Sequence, residues 1–333
     1  MIQRPRSFKA AGLFSHFFSE IHIIFQRVML YFPVTGRDNK RPPIGGNAMK
    51  EESIVFIGGD MRMVYAAKKL SMRHRCALSG FGSLETGLPS VAAGARYSAA
   101  VLPIFAGGAR EIRCPFANKA YDINILTLHL DCGSVVFAGK VFPELEKLCA
   151  ENGYTLYDYL AREELAVLNA ELTAEGAVSL AISETSRALL GSKAAVLGFG
   201  RIAKLCARYL AALGAVVTVC ARKKRDLAWA AALGYGNADI NDEAELRGVL
   251  AEADIVMNTV PAKIITPERA AAIKKDALLI ELASVPCTDG EPPFRVISAG
   301  GLPGKTAPVS AGEIIADTIV NILTERSDKN GGA

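Results

Sequence analysis

The sequence predicts an α/β fold of two domains, each a parallel sheet flanked by helices, and three observations carry that prediction. Short apolar runs alternate with segments of helical spacing from Ser53 to Ile297. The runs stop at Gly, Pro or a polar residue, as strands buried on both faces do. The 333 residues, 50% hydrophobic, are enough for two cores.

The first strand is the run 53–58, and 61–71 has helical spacing after it. Further strands are read at 99–103 and 134–138, and a last short element at 154–160. These make residues 49–165 a first domain, flavodoxin-like or Rossmann-like. A long helix over 173–190, capped by Thr173 and stopped at Gly191, is the core of a linking segment 166–192. Strands at 194–197, 216–220, 255–258, 278–281 and 295–297 then alternate with helices at 202–213, 225–233, 243–252 and 267–274. That alternation predicts a doubly wound parallel sheet over 193–300. A loop and a helix at 310–324, within 301–325, pack back on the first domain, leaving a cleft between the two domains.

The formal charge of +4 is misleading. Residues 1–50 carry eight Lys and Arg against Glu20 and Asp38, so the rest of the chain is slightly acidic and offers no nucleic-acid footprint. Residues 13–32 are aromatic-rich but interrupted by Ser15, His16, Glu20, Gln26 and Arg27, too polar for a membrane span. An interfacial amphipathic helix is one reading of this stretch. The other treats 1–48 as a leader, disordered or not translated, with Met49 as the start. The seven cysteines include no Cys-x-x-Cys pair and suggest neither a disulfide framework nor a zinc site. That usage fits a cytoplasmic protein.

Gly198-Phe199-Gly200-Arg201-Ile202-Ala203 follows a strand and opens a helix. The first glycine permits a tight turn, the second lets a pyrophosphate approach the backbone, and Ala203 keeps helix and strand close. Phosphate then lies on the N–H groups and dipole of the helix start. At the next strand end, where an enzyme selecting NAD presents a carboxylate, stand Ala221, Arg222 and Lys223. A guanidinium there pairs with a 2′-phosphate, so the predicted cofactor is NADP; a solvated charge run is the alternative. Asn258-Thr259-Val260-Pro261 and Glu281-Leu282-Ala283-Ser284 end strands on the same crevice, where they either hold the nicotinamide half or serve as ordinary turns.

In the first domain, Asp60 reads as a helix cap and Arg62 as a partner for a substrate carboxylate. Asn169, Thr173 and Glu175 set polar groups at a predicted helix start near the cleft. The turn 300–304 with Lys305 either closes over a ligand or is structural. All four histidines lie outside the predicted cofactor domain, which argues against an imidazole acid/base. No G-x-S-x-G elbow, Walker lysine loop or metal cluster is present, leaving hydride chemistry.

Taken in order, 57–62, 169–176, 197–201, 258–261, 282–284 and 301–304 resemble the dipicolinate synthase A-subunit family over about residues 52–325. The resemblance implies a sporulation enzyme of the mother-cell cytoplasm that acts with a flavoprotein-like B subunit. It would oxidise a dihydrodipicolinate-type dicarboxylate to pyridine-2,6-dicarboxylate with NADP. It suggests Glu175 as proton acceptor, Arg62 and Asn169 as substrate contacts and Ser284 as an orienting group. Two departures weaken the substrate half. Val285 stands where the family tends to a basic residue, which leaves Arg62 or Lys305 to compensate, and no Ser lies near Phe105. Two alternatives remain: another NADP-linked two-domain dehydrogenase of a small carboxylate, and an NADP-binding protein whose partner does the chemistry. A homo-oligomer is compatible with either.

Overall fold

The computed structural model describes residues 51–104 and 110–331. The readings of residues 1–48 and of Phe105 lie outside them.

The first sheet is five parallel strands in the order β2-β1-β3-β6-β7: β1 Ser53–Ile57, β2 Arg75–Ser79, β3 Tyr97–Ile104, β6 Leu130–Gly139 and β7 Thr155–Asp158. Of the two expected orders, this is the flavodoxin-like one. Helices α1 Met61–Leu70, α2 Ile125–His129 and α3 Pro143–Glu151 cover it. Ile54 to Ile57 are completely buried because both faces of β1 are covered, which is why the strand reads as an unbroken apolar run. The hairpin of β4 Glu111–Cys114 and β5 Lys119–Asp122 folds over the end of β1, where Gly59 N donates to Arg113 O at 2.8 Å.

The second sheet is six parallel strands in the order β10-β9-β8-β11-β12-β13. They are β8 Lys193–Leu197, β9 Val216–Ala221, β10 Gly236–Asp239, β11 Ile255–Asn258, β12 Leu278–Glu281 and β13 Arg295–Ser298. The order is that of two mononucleotide-binding halves meeting between β8 and β11, where the crossover direction reverses. Its helices are α5 Arg201–Ala212, α6 Lys224–Ala232, α7 Glu243–Glu252 and the single turn α8 Pro267–Ala270, shorter than the helix expected over 267–274.

The long helix α4, Glu163–Glu184, joins the two sheets. It begins ten residues before the expected cap: Thr173 is mid-helix, and its hydroxyl donates back to Asn169 O at 2.8 Å. A hydroxyl that bonds the preceding turn is tolerated inside a helix. At the other end the helix stops at the cap Thr185, before Gly191. α4 is long and apolar enough to cross a membrane by composition, but its apolar residues are core: Leu165 packs with the first sheet and Ala174, Ala177, Val178 and Ala181 with the second.

After the short helix α9, Leu302–Thr306, the final helix α10, Pro308–Gly331, returns to the first sheet. Ile315, Ile319, Ile322 and Leu323 enter its core, each contributing about 1.5–3 kcal/mol by leaving water.

Candidate functional site

At the end of β8, Gly198 has φ +96°, and a β-carbon on it would lie 2.6 Å from Thr259 Oγ1 and 2.9 Å from Val260 Cγ2. Only glycine fits that turn. Gly200 differs: it caps α5 with φ −77° and no side-chain acceptor, and a β-carbon there would meet nothing within 4 Å. The first N–H groups of α5, on Arg201, Ile202 and Ala203, therefore open onto free space, the arrangement that accepts a pyrophosphate. The space is a cavity of about 730 Å³ lined by Gly198, Phe199, Gly200 and Arg201 on one side and Thr259, Val260 and Pro261 on another. Lys204, one turn along α5, also faces it with Nζ 5.4 Å over the Phe199 ring. Sequence reasoning missed Lys204, although its spacing from Arg201 puts both on one helix face.

Ala221 ends β9, and Arg222 and Lys223 line the far side of the cavity. Lys224 is taken by Asp239 at 2.7 Å and Arg225 by Asp226 at 3.5 Å. Among the described residues, Arg222 and Lys223 have no ion pair, so they are the cations left to meet an anion at this strand end.

Asn258, expected to touch the nicotinamide half, is completely buried. Its Nδ2 donates to Glu281 Oε1 at 2.6 Å and to Val260 O at 3.0 Å, while Oδ1 accepts from Val260 N. It shapes the loop that faces the cavity and does not itself face it. Thr259 is likewise partly committed, its hydroxyl donating to Leu197 O at 2.8 Å. Leu282 and Ala283 are half-buried beside Asn258 and Glu281, and Ser284 is exposed beyond them. Glu281, which opens the second of the two strand-end segments read from the sequence, is 4% exposed and also accepts from Ala283 N and Cys287 N. Beside it, burial pushes the Cys287 thiol well above its ordinary range.

On the first sheet, Asp60 caps α1 by accepting from Arg62 N, and its carboxylate also holds the Arg62 guanidinium, Nη2 to Oδ2 at 2.8 Å. Burial alone would lower the Arg62 pKa; the Asp60 bonds outweigh it and hold the guanidinium above its usual value. Gly304 of α9 packs on this pair, and Gly176 of α4 packs on Leu302 and Thr306 of α9. The structure thus brings Arg62, α4 and the 300–306 turn together. It does not bring Glu175 into the cavity lining: that carboxylate is exposed on α4, near Tyr209, whose hydroxyl is pushed up by burial first and by Glu171 and Glu175 after it, whereas the cavity is at the Arg201 end of α5. Asn169 is half-buried in the second turn of α4, and Lys305 is exposed. At the cavity end, Arg201 is held by Glu163 of α4, Nε to Oε1 at 2.8 Å.

Residues 165–304 match the family described as D-isomer specific 2-hydroxyacid dehydrogenase, NAD binding domain. With the glycine turn and open helix start at the switch point, this defines an oxidoreductase that binds a nicotinamide dinucleotide. Residues 53–160 match the N-terminal domain of the dipicolinate synthase A subunit. The dipicolinate synthase A subunit of Bacillus subtilis (strain 168) is 30% identical over 84% of this chain and 98% of its own length. The crystal structure of the A subunit from Bacillus halodurans superposes with a TM-score of 0.72 at 30% identity, covering 84% of this chain and 99% of that one. The crystal structure of its Bacillus subtilis counterpart gives 0.74 at 29% identity over 85% and 100%. The chain belongs to the dipicolinate synthase A-subunit family.

Proposed function

We propose that this chain is the NADP-dependent catalytic component of a dipicolinate synthase, oxidising a dihydrodipicolinate-type dicarboxylate to pyridine-2,6-dicarboxylate. It works in the mother-cell cytoplasm during sporulation, beside a flavoprotein-like B subunit. The observation that carries the cofactor choice is the pair Arg222 and Lys223, lining the cavity without a protein counter-ion among the described residues. A carboxylate directly after β9 would select NAD; Arg222 and Lys223 stand there instead, and the Asp226 that also lines the cavity is paired with Arg225.

The bound nicotinamide supplies a hydride acceptor. The chain's own residues bind and orient. The N–H groups of the α5 start take the pyrophosphate, and Arg222 takes the 2′-phosphate. Arg62, only part of whose guanidinium is occupied by Asp60, has donors left for a substrate carboxylate. Asn169 and Ser284 are assigned to orienting the ring. The reaction removes a hydride and a proton, and aromatisation favours the product, so proximity and orientation supply much of the rate. The proton is assigned to Glu175, a role that requires this carboxylate to face the substrate carbon in the liganded enzyme.

Purified protein incubated with NADP and dihydrodipicolinate, with and without the B subunit, tests the proposal. The predicted result is NADPH and an aromatic dicarboxylate in equal amounts. No dicarboxylate with every component present refutes it. Full activity after Glu175→Ala and Arg62→Ala together places the chemistry on the partner instead.

A further inference from the structure

We infer that Glu281 is a positioning residue for the nicotinamide end of the dinucleotide, its buried carboxylate clamping together the loops that follow β11 and β12. Glu281 is the last residue of β12 and stands in register with Asn258, the last of β11. Its Oε1 accepts from Asn258 Nδ2 at 2.6 Å and from Ala283 N at 3.1 Å, and its Oε2 accepts from Cys287 N at 2.7 Å. The ring closes through Cys287, whose carbonyl accepts from Ile264 N at 2.9 Å and Ile265 N at 2.8 Å.

A buried carboxylate is costly unless hydrogen-bonded. Here it has three donors, and no Lys or Arg pairs with it among the described residues. For stability alone, a well-packed apolar side chain serves as well as a buried charge, so the return on this one is geometric. One face of the clamp sets Val260 against the cavity through Asn258, and the other leaves Ser284, Val285 and Pro286 as an exposed tip. In a sheet of this order the adenosine half lies towards β9 and the ring half towards β11 and β12. Glu281 therefore controls one half of the site and not the other. The inference rests on dinucleotide binding by the second sheet, and neither the substrate nor the choice of NADP enters it.

The test uses the full chain with Glu281→Gln, which removes the charge and turns one acceptor oxygen into an amide facing a donor. ADP-ribose, or 2′-phospho-ADP-ribose where the phosphorylated dinucleotide binds the native protein more tightly, lacks only the ring and probes the adenosine and pyrophosphate half by calorimetry. The emission of the reduced dinucleotide that binds the native protein more tightly probes the ring. ADP-ribose affinity is predicted to stay within about twofold of native, while the ring's emission enhancement on binding falls by roughly half or more. An unchanged emission overturns the inference, as does an equal loss for both probes. If the variant fails to fold, Asn258→Ala removes one donor to Glu281 together with both bonds that hold Val260, keeps the two backbone donors, and is predicted to show the same split in at least equal measure. Equal loss for both probes in that variant overturns the inference too. A native protein that binds neither probe would instead contradict dinucleotide binding itself.

Discussion

Gly304 faces the guanidinium of Arg62 so closely that a β-carbon there would lie 3.0 Å from Nε and 3.3 Å from Cζ. The returning segment of the chain thereby fixes the arginine proposed to hold a substrate carboxylate, and α9 also touches Gly176 of α4. Gly304→Ala asks the guanidinium to yield by a few tenths of an ångström. The predicted outcome is a KM for the dicarboxylate raised severalfold with stability changed by less than about 1 kcal/mol. Steady-state kinetics with a thermal melt checks this, and an unchanged KM removes Arg62 from substrate binding.

The two glycines of the β8 turn make opposite predictions. Gly198→Ala meets both a positive φ and Thr259 Oγ1 at 2.6 Å, so it should lose about 1–3 kcal/mol of stability. Gly200→Ala enters open space at an ordinary φ, so the melt should be unchanged while dinucleotide affinity falls at least about tenfold, as steric exclusion of a phosphate demands. Melting curves beside equilibrium titrations separate the two. Unaltered affinity in Gly200→Ala would move the pyrophosphate away from this turn.

The glycine turn was legible because everything that defines it is local: an apolar strand, two glycines and a helix start within ten residues. Elements defined by pairing were not. β10, Gly-Asn-Ala-Asp, has no apolar run and exists because it pairs in register with Thr218 to Ala221 of β9. The polar hairpin of β4 and β5 was equally invisible. Thr173 misled for the opposite reason, since a cap residue inside a run of good helix formers carries no local sign that the helix started earlier. In the site, Arg222 and Lys223 could be named from their place after a strand, but the partnership of Asn258 with Glu281 depends on the register of two strands 23 residues apart.

The proposed preference for NADP rests on Arg222. A charge-assisted contact to a 2′-phosphate is worth about 1.5–3 kcal/mol, roughly a 10- to 100-fold change in affinity. Arg222→Ala should weaken NADP by that much and NAD by less than about twofold. Equal loss for both dinucleotides in parallel titrations would show that the side chain contacts something other than the 2′-phosphate.

His74 gives the fold a pH dependence. It is 5% exposed, its Nδ1 accepts from Glu52 N at 3.2 Å, and its Nε2 has no partner among the described residues. Burial holds its pKa below the ordinary 6.5, so the native state resists the proton that the unfolded chain accepts. Stability from this group is complete above the unfolded value and is lost as pH falls below it, towards the depressed native value. The melting temperature should decline as pH falls below about 6.5, above the usual carboxylate range. His74→Gln should flatten that decline, and an unchanged slope in the variant would assign it to other groups.

The most direct measurement is a crystal structure of this chain with NADP and pyridine-2,6-dicarboxylate bound. It should show the pyrophosphate over Gly198 to Arg201, the 2′-phosphate on Arg222, and the dicarboxylate between the two sheets with one carboxylate on Arg62. A 2′-phosphate turned away from Arg222, or a dicarboxylate bound outside that cleft, would contradict the proposed function.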